Sequence, residues 1–177
     1  MALAGARPAG LQPRRRTIVT FAPADPEAID PAWPFGVDIG ESFYFKPESG
    51  RILASPADET PAEPADAQPE ELDVALAIDR VEQATTLKAR RVINKWAGLR
   101  TFAADRTPVV GFDPGAEGFF WLAGQGGYGI QTAPALARLA AALAFGEPVP
   151  SDIAALGVTA EALAPGRLRG AAGDAGR

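Results

Sequence analysis

An apolar segment, a glycine-rich turn and a second apolar segment follow one another between residues 119 and 145. Residues 119–123 form a continuous apolar run, which is typical of a strand buried on both faces in a parallel sheet. Residues 133–145 are rich in Ala and Leu and predict a helix with Pro134 at its start. Between them, four of the six residues 124–129 are glycines, which allow a ligand to approach the backbone closely. The segment predicts either a ligand-facing turn before a positively polarised helix N-terminus or a tight structural turn.

The turn departs from two common nucleotide-binding motifs. Its glycine order differs from the GxGxxG dinucleotide fingerprint, and no acidic residue follows about 20 residues later on a second strand. It also lacks the Lys-Ser/Thr pair that ends a phosphate-binding P-loop.

Composition excludes several kinds of chemistry. The chain of 177 residues has no cysteine and no histidine, which removes thiolate nucleophiles, Ser-His pairs and nearly all zinc sites. We therefore assign no catalytic side chain and no metal site. The net charge of −5 argues against a nucleic-acid partner. No apolar stretch approaches the length of a membrane span, so we expect a cytoplasmic protein.

The remaining patterns predict an α+β fold with a mostly antiparallel sheet and a covering helix. Residues 69–87, extending as far as 90, show a helical stripe formed by Val74, Ile78, Val81 and Thr85. The acidic, proline-rich residues 56–68 predict a solvated loop, and residues after 156 predict coil. Strands are predicted at 17–21, 37–39, 42–46, 51–55, 96–102, 109–111 and 119–123, and a short helical turn at 151–156.

Two segments carry a resemblance to a known family. They are WAGLRTFAAD at 96–105 and GFFWLAGQGGYGIQT at 118–132, and together they resemble the C-terminal signature of FAD-dependent D-amino-acid oxidases and dehydrogenases. The likeness is greatest to D-arginine-type dehydrogenases, and it extends to LQPRRR at 11–16, ESFYFKP at 41–47 and PGRL at 165–168. One departure is Arg106, where many relatives have glycine, and it puts only a loop conformation in doubt.

The resemblance implies FAD as cofactor and a chain corresponding to the C-terminal half of such an enzyme, without the GxGxxG unit. It implies a substrate-domain portion at 1–107, the last strand and helix of the FAD-binding domain at 108–150, and a tail at 151–177. The residues expected to contact the flavin are Gly127, Tyr128, Gly129, Ile130, Gln131 and Thr132.

The resemblance also implies a set of substrate contacts. It places Arg100 and the Tyr44 hydroxyl against the carboxylate of a D-amino acid, with Arg16 nearby and the Gly127 carbonyl accepting from the amine. Each side chain has a plainer alternative. Arg100 could form a surface ion pair, Tyr44 could be an ordinary half-buried sheet residue, and Arg16 could be one of three solvated arginines.

The reaction implied is oxidative deamination of a D-amino acid to a 2-oxo acid and ammonia. One hypothesis is a truncated enzyme that is inactive alone. A second is a subunit completed by a separate FAD-domain chain, and a third is a non-catalytic module that binds amino acids. The missing histidine is consistent with a half-enzyme, because the resemblance places the histidine near the flavin in the N-terminal half.

Overall fold

The computed structural model describes residues 5, 6 and 8–169. It divides into two compact units. One comprises residues 13–99, and the other comprises the residues up to 12 together with those from 100 onward. This division concerns compactness alone, so the domain limits expected after residues 107 and 150 stay a prediction.

The unit of residues 13–99 is built on a five-stranded sheet with the order β2-β3-β4-β1-β5. Neighbours β1–β4, β3–β4 and β2–β3 pair antiparallel, which confirms the predicted α+β fold with a mostly antiparallel sheet. The strands are β1 (Gln12–Pro23), β2 (Gly36–Val37), β3 (Tyr44–Glu48), β4 (Arg51–Ser55) and β5 (Ala89–Phe102), and the helix is α1 (Glu71–Ala84), with a short 3-10 turn at Pro26–Ala28.

Helix α1 covers one face of this sheet. Its stripe buries Val74 and Val81, while Ile78 packs at the margin of the same core. The helix is shorter than predicted, because Glu70 and Thr85 at its two ends are extended. The sheet contributes Val19, Phe21, Ile52 and Ala54 to this core.

The second unit contains an antiparallel pair of strands, three α-helices and a 3-10 turn among its described residues. Trp121 is buried in its core, and the indole Nε1 donates to Asp113 Oδ2 at 2.9 Å. Its elements are β6 (Val109–Phe112), β7 (Phe120–Ala123), α2 (Gly129–Ala144), α3 (Ser151–Ala154), α4 (Ala160–Leu163) and a 3-10 turn at Pro165–Arg169.

Three predictions for this unit are wrong in detail. Residues 119–123 do not form a parallel strand buried on both faces, because β7 pairs antiparallel with β6 and Leu122 is 47% exposed. Helix α2 begins four residues before Ala133, so Pro134 lies inside it. The expected coil after residue 156 contains α4 and the final 3-10 turn. None of the described helices is long and apolar enough to cross a membrane.

Candidate functional site

The glycine-rich turn, residues 124–129, lies directly against the end of β5. The Gly126 N–H donates to the Thr101 carbonyl at 2.9 Å. Gly126 has φ +54°, and a Cβ added there would lie 2.3 Å from Cε1 of Phe102. Glycine is therefore required at this position both by the backbone conformation and by the Phe102 ring. The turn is therefore packed tightly against the end of β5.

Helix α2 starts at the end of this turn without an acidic group of its own. Tyr128 precedes the helix and makes no side-chain capping hydrogen bond, and the first turn contains no acidic residue. The N–H of Thr132 is the first to bond within the helix, to the Tyr128 carbonyl. The N–H groups just before it keep the partial positive charge of the helix N-terminus, which attracts an anion or a polarised oxygen. The side chains of Tyr128 and Ile130 are exposed beside it.

Arg100 lies next to the middle of the turn. A Cβ added to Gly127 would lie 2.7 Å from Arg100 Nη1, so the guanidinium occupies the space beside this glycine. Arg100 is half-buried, yet it forms no hydrogen bond or ion pair with any residue that the structure describes. The surface ion-pair alternative for Arg100 is therefore wrong within the described part of the chain.

The other half-buried arginines of the described residues all donate hydrogen bonds to protein oxygens. They are Arg14, Arg15, Arg16, Arg80 and Arg167. A half-buried guanidinium carries five donors and a permanent charge, and where no protein oxygen accepts from it these donors are available to a ligand or to water. Arg100 thus has the properties of an anion-binding side chain.

Arg16 lies in the other unit and is already paired. Its Nε donates to the Asp58 carbonyl at 2.8 Å, and its Nη2 contacts Glu59 Oε1 at 3.2 Å. Its side chain is 13% exposed, so it is not a solvated arginine. The Arg16 guanidinium is thus held within this unit by the Asp58 carbonyl and by its ion pair with Glu59.

The loop of residues 56–68 was predicted to be solvated, and that prediction is wrong for residues 56–59, which are buried or half-buried, while most of residues 60–68 are exposed. The carboxylate of Asp58 is only 7% exposed and accepts from the backbone N–H and the hydroxyl of Thr17 at 2.6 and 3.0 Å. The Arg15 guanidinium also contacts this carboxylate at 3.5 Å. The opposite charges of residues 14–16 and 58–59 were the only sequence signal for this contact.

Tyr44 and Arg16 come together in this unit. The Arg16 Cζ lies 6.0 Å from the Tyr44 ring centroid, and the ring of Phe35 lies 5.2 Å from that of Tyr44. The Tyr44 ring is half-buried, and its hydroxyl has no hydrogen-bond partner among the described residues. The hydroxyl is therefore free to donate to a ligand.

The predicted site residues thus form one pair in each unit, Arg16 with Tyr44 and Arg100 with Gly127. Residues 128–132, expected to contact a flavin, form the end of the turn and the start of α2. No group of three or more metal-ligating side chains occurs in the described part of the chain.

Sequence reasoning missed the support beneath the turn. Arg106 has φ +62°, the left-handed conformation that glycine adopts without strain. Its guanidinium lies 4.4 Å from the centroid of the Phe102 ring, an attractive cation–π distance. The replacement of glycine by Arg106 had already indicated an unusual loop conformation, but nothing in the sequence indicated the contact with Phe102.

A family model and several solved structures match this chain and agree on its fold. A family model described as FAD dependent oxidoreductase, DAO, matches residues 1–143. The structure is similar to iminodiacetate oxidase from Chelativorans sp. BNC1, with a TM-score of 0.69 and 19% identity over 93% of this chain and 42% of that one. L-proline dehydrogenase from P. horikoshii gives 0.66 and 18% identity over 92% and 41%.

Glycine oxidase from Geobacillus kaustophilus is a third similar structure, with a TM-score of 0.63 and 22% identity over 82% of this chain and 38% of that one. At these identities the likeness concerns the fold. The chain spans less than half the length of all three proteins.

Proposed function

Because this chain belongs to the DAO family of FAD-dependent oxidoreductases, we propose that it forms the substrate-binding part of an enzyme that oxidises a D-amino acid. The single observation that carries the proposal is the Arg100 guanidinium, half-buried beside Gly127 and without an acceptor among the residues that the structure describes. A planar, permanently charged fork of donors can bind a carboxylate through two parallel hydrogen bonds.

The residues of the glycine-rich turn fit the cofactor that the family uses. The uncapped N-terminus of α2 favours negative charge, and the exposed Tyr128 and Ile130 offer apolar surface to a planar ring. When bound, FAD supplies the acceptor for the hydride that leaves the substrate α-carbon. Residues 127–132 are proposed to contact the ring, while the pyrophosphate would be held by polypeptide outside this sequence.

The roles of the chain's own residues follow from their chemistry. Arg100 binds the substrate carboxylate through two parallel hydrogen bonds, and the Tyr44 hydroxyl donates to the same group. The Gly127 carbonyl accepts from the substrate amine and so orients the α-carbon. Arg16 adds positive charge behind Tyr44. Loss of the hydride and of one amine proton gives an imino acid, which water hydrolyses to a 2-oxo acid and ammonia.

The substrates named for the similar structures share an amine next to a carboxylate, as in glycine and L-proline. That common group is the one that Arg100 and Gly127 are proposed to bind. The choice of the D series, and of D-arginine as the first substrate to test, rests on the resemblance to D-arginine-type dehydrogenases. The L enantiomers and glycine are therefore the necessary comparison.

We also propose that the FAD-binding unit is supplied by polypeptide beyond this sequence, as part of the same chain or as a separate one. Large apolar side chains support this, because Phe112 and Leu122 on the β6–β7 pair and Phe145 at the end of α2 are exposed. Exposed apolar groups of this size on neighbouring elements mark a surface that a partner covers. The truncated form is then inactive alone.

The test is to tag this chain in its native host, purify it with whatever it binds, and record the flavin spectrum and D-amino-acid-dependent dye reduction. We expect a bound flavin and activity that Arg100→Gln lowers about 100-fold in kcat/KM, because the bidentate carboxylate contact is lost. Arg51→Gln, which removes an exposed arginine from β4, is the matched control and should leave kcat/KM unchanged.

Different results would overturn different parts of the proposal. A purified complex without flavin would exclude the cofactor, and preference for L substrates would exclude the D series. Activity of Arg100→Gln equal to that of Arg51→Gln would exclude the carboxylate contact. Stoichiometric FAD on the chain purified alone would show that no external unit is needed.

A non-catalytic amino-acid-binding module is the alternative. It would keep the carboxylate contacts of Arg100 and Tyr44 without oxidation. Calorimetric titration of the chain alone with D-amino acids separates the two, because only the module binds without the FAD-binding unit, and Arg100→Ala should abolish its heat.

A further inference from the structure

Near the end of the described chain, Arg167 forms hydrogen bonds to the loop that follows β5. Its Nε and Nη2 contact the two carboxylate oxygens of Asp105 at 2.7 and 3.2 Å. Its Nη2 also donates to the Thr107 carbonyl at 2.7 Å, and its Nη1 donates to the carbonyls of Leu163 and Ala164 at 2.6 and 3.1 Å. The Arg167 side chain is 15% exposed and that of Asp105 is 43% exposed, so the bonds to the three carbonyls are better shielded from water than the ion pair.

The loop that Arg167 contacts, residues 103–107, has a strained backbone at Arg106. Arg106 is in the left-handed region at φ +62°, a conformation that costs about 1 kcal/mol or more for a residue with a Cβ. The Arg106 N–H donates to the Ala103 carbonyl at 2.9 Å, and the Thr107 N–H donates to Asp105 Oδ1 at 3.1 Å. Arg167 therefore holds both residues that flank the strained position, Asp105 by its carboxylate and Thr107 by its carbonyl.

The same loop supports the glycine-rich turn from below. The Arg106 guanidinium lies over the Phe102 ring, and a Cβ at Gly126 would lie 2.3 Å from Cε1 of the same ring. A Cβ at Gly124 would lie 3.6 Å from the Ala103 nitrogen and 3.7 Å from Val109 Cγ2, so the turn also rests on residues at both ends of the loop. A change in the loop would move the surface on which the turn sits.

We propose that Arg167 is a positioning residue, which fixes the glycine-rich turn by clasping Asp105 and thereby holding Arg106 and Phe102 in place. The importance of that position for catalysis rests on the proposed function, in which the turn contacts the flavin ring. The contact between Arg167 and Asp105 does not depend on any ligand. Arg167 would thus influence the turn through Asp105, Arg106 and Phe102, without a direct contact.

The test is amide hydrogen exchange on the full chain without added flavin, comparing the wild type with Arg167→Lys. Lysine keeps the charge but cannot form the forked contact with Asp105 and the three carbonyls. We expect the Gly126 N–H, which bonds to Thr101, to exchange about tenfold faster through local opening of the turn.

Arg138→Lys is the matched control. Arg138 forms another forked contact with an aspartate in this unit, to Asp152 at 2.8 and 2.8 Å, but its side chain is 57% exposed and it lies along α2. This change should leave the Gly126 exchange rate within about twofold of the wild type, since exposed pairs contribute little.

Asp105→Asn is the second variant, in case Arg167→Lys fails to fold. It keeps the size of the side chain and removes the charge, and we expect exchange at Gly126 to increase about threefold. The proposal is overturned if Gly126 exchanges no faster than in Arg138→Lys, or if all amides of the unit accelerate by one common factor. Because no flavin is present, neither result depends on the proposed function.

Discussion

The surroundings of Arg16 and Arg100 differ in what each guanidinium contacts. At the start of β1, Arg16 bonds to the Asp58 carbonyl and pairs with Glu59, and the loop that carries these acceptors is anchored to the same strand by Asp58. At the end of β5, Arg100 lies against Gly127 without an acceptor among the described residues. Both were predicted to contact substrate from their sequence motifs alone.

This difference separates a structural arginine from a binding one. A guanidinium whose donors are used within the protein gains little from a ligand, because binding would first break existing bonds. A guanidinium without a protein acceptor has no protein bond to break when a carboxylate arrives, and it can form the charge-assisted pair directly. The backbone beside Arg100 is nevertheless fixed, since the turn is seated on Phe102. The site near Arg100 thus combines a rigid backbone with an unsatisfied charge.

The largest expected effect concerns that rigid backbone. Gly126→Ala should lower the free energy of unfolding by about 3 kcal/mol, because the added methyl group overlaps the Phe102 ring and the left-handed backbone disfavours a Cβ. The measurement is urea denaturation of the full chain followed by tryptophan fluorescence.

Gly118→Ala separates the two causes. Gly118 has φ +74°, but a Cβ there would meet no atom within 4 Å. The change should therefore cost only the backbone part, about 1 kcal/mol. Equal losses in the two variants would mean that the Phe102 ring yields and that the turn is not rigidly seated.

The next effect compares the two arginines directly. Arg16→Gln should destabilise the chain by about 1–2 kcal/mol, because it leaves the acceptors on Asp58 and Glu59 without their donors. Arg100→Gln should change the free energy of unfolding by less than about 0.5 kcal/mol, since it breaks no bond within the described chain. Urea denaturation of both variants gives the two free energies of unfolding. A larger loss of stability for Arg100→Gln than for Arg16→Gln would contradict the assignment of Arg16 as the structural arginine and Arg100 as the binding one.

Local sequence patterns predicted the elements well where one physical cause dominates. The helical stripe of α1, the 51–55 strand and the turn before α2 all depend on short-range periodicity or on glycine. The start of α2 was placed too late, at Ala133, because Pro134 was taken to mark the start of the helix although it lies inside it. Proline marks only that a helix end is near, not which residue begins it.

Contacts between distant parts of the sequence could not be predicted. The ion pair of Arg16 with Glu59 joins residues 43 positions apart, and Arg167 reaches Asp105 across 62 positions. Either arginine could equally have been solvated, since charge alone does not indicate a partner. For the same reason the resemblance assigned both Arg16 and Arg100 to substrate contact, and only the pairing in the folded chain separates them.

The smallest expected effect is a change in the pKa of Asp105, which is paired with Arg167 in the same unit as Arg100. The Arg167 guanidinium, chiefly by its hydrogen bonds, holds the pKa of the Asp105 carboxyl below its ordinary value. A carboxyl whose pKa is lower in the folded state stabilises the protein above its unfolded pKa, and that contribution is lost as the pH falls through the folded pKa. The clasp should therefore open only in acid.

Arg167→Lys should raise the pKa of Asp105 toward its ordinary value, because a single ammonium cannot replace the forked contact. The measurement is an NMR titration of the side-chain carboxyl carbon of Asp105. Arg100→Gln is the control and should leave this pKa in place, since Arg100 makes no ion pair with Asp105. An unchanged pKa in Arg167→Lys would mean that the backbone N–H of Thr107, not Arg167, keeps Asp105 ionised, and the clasp would then have no electrostatic basis.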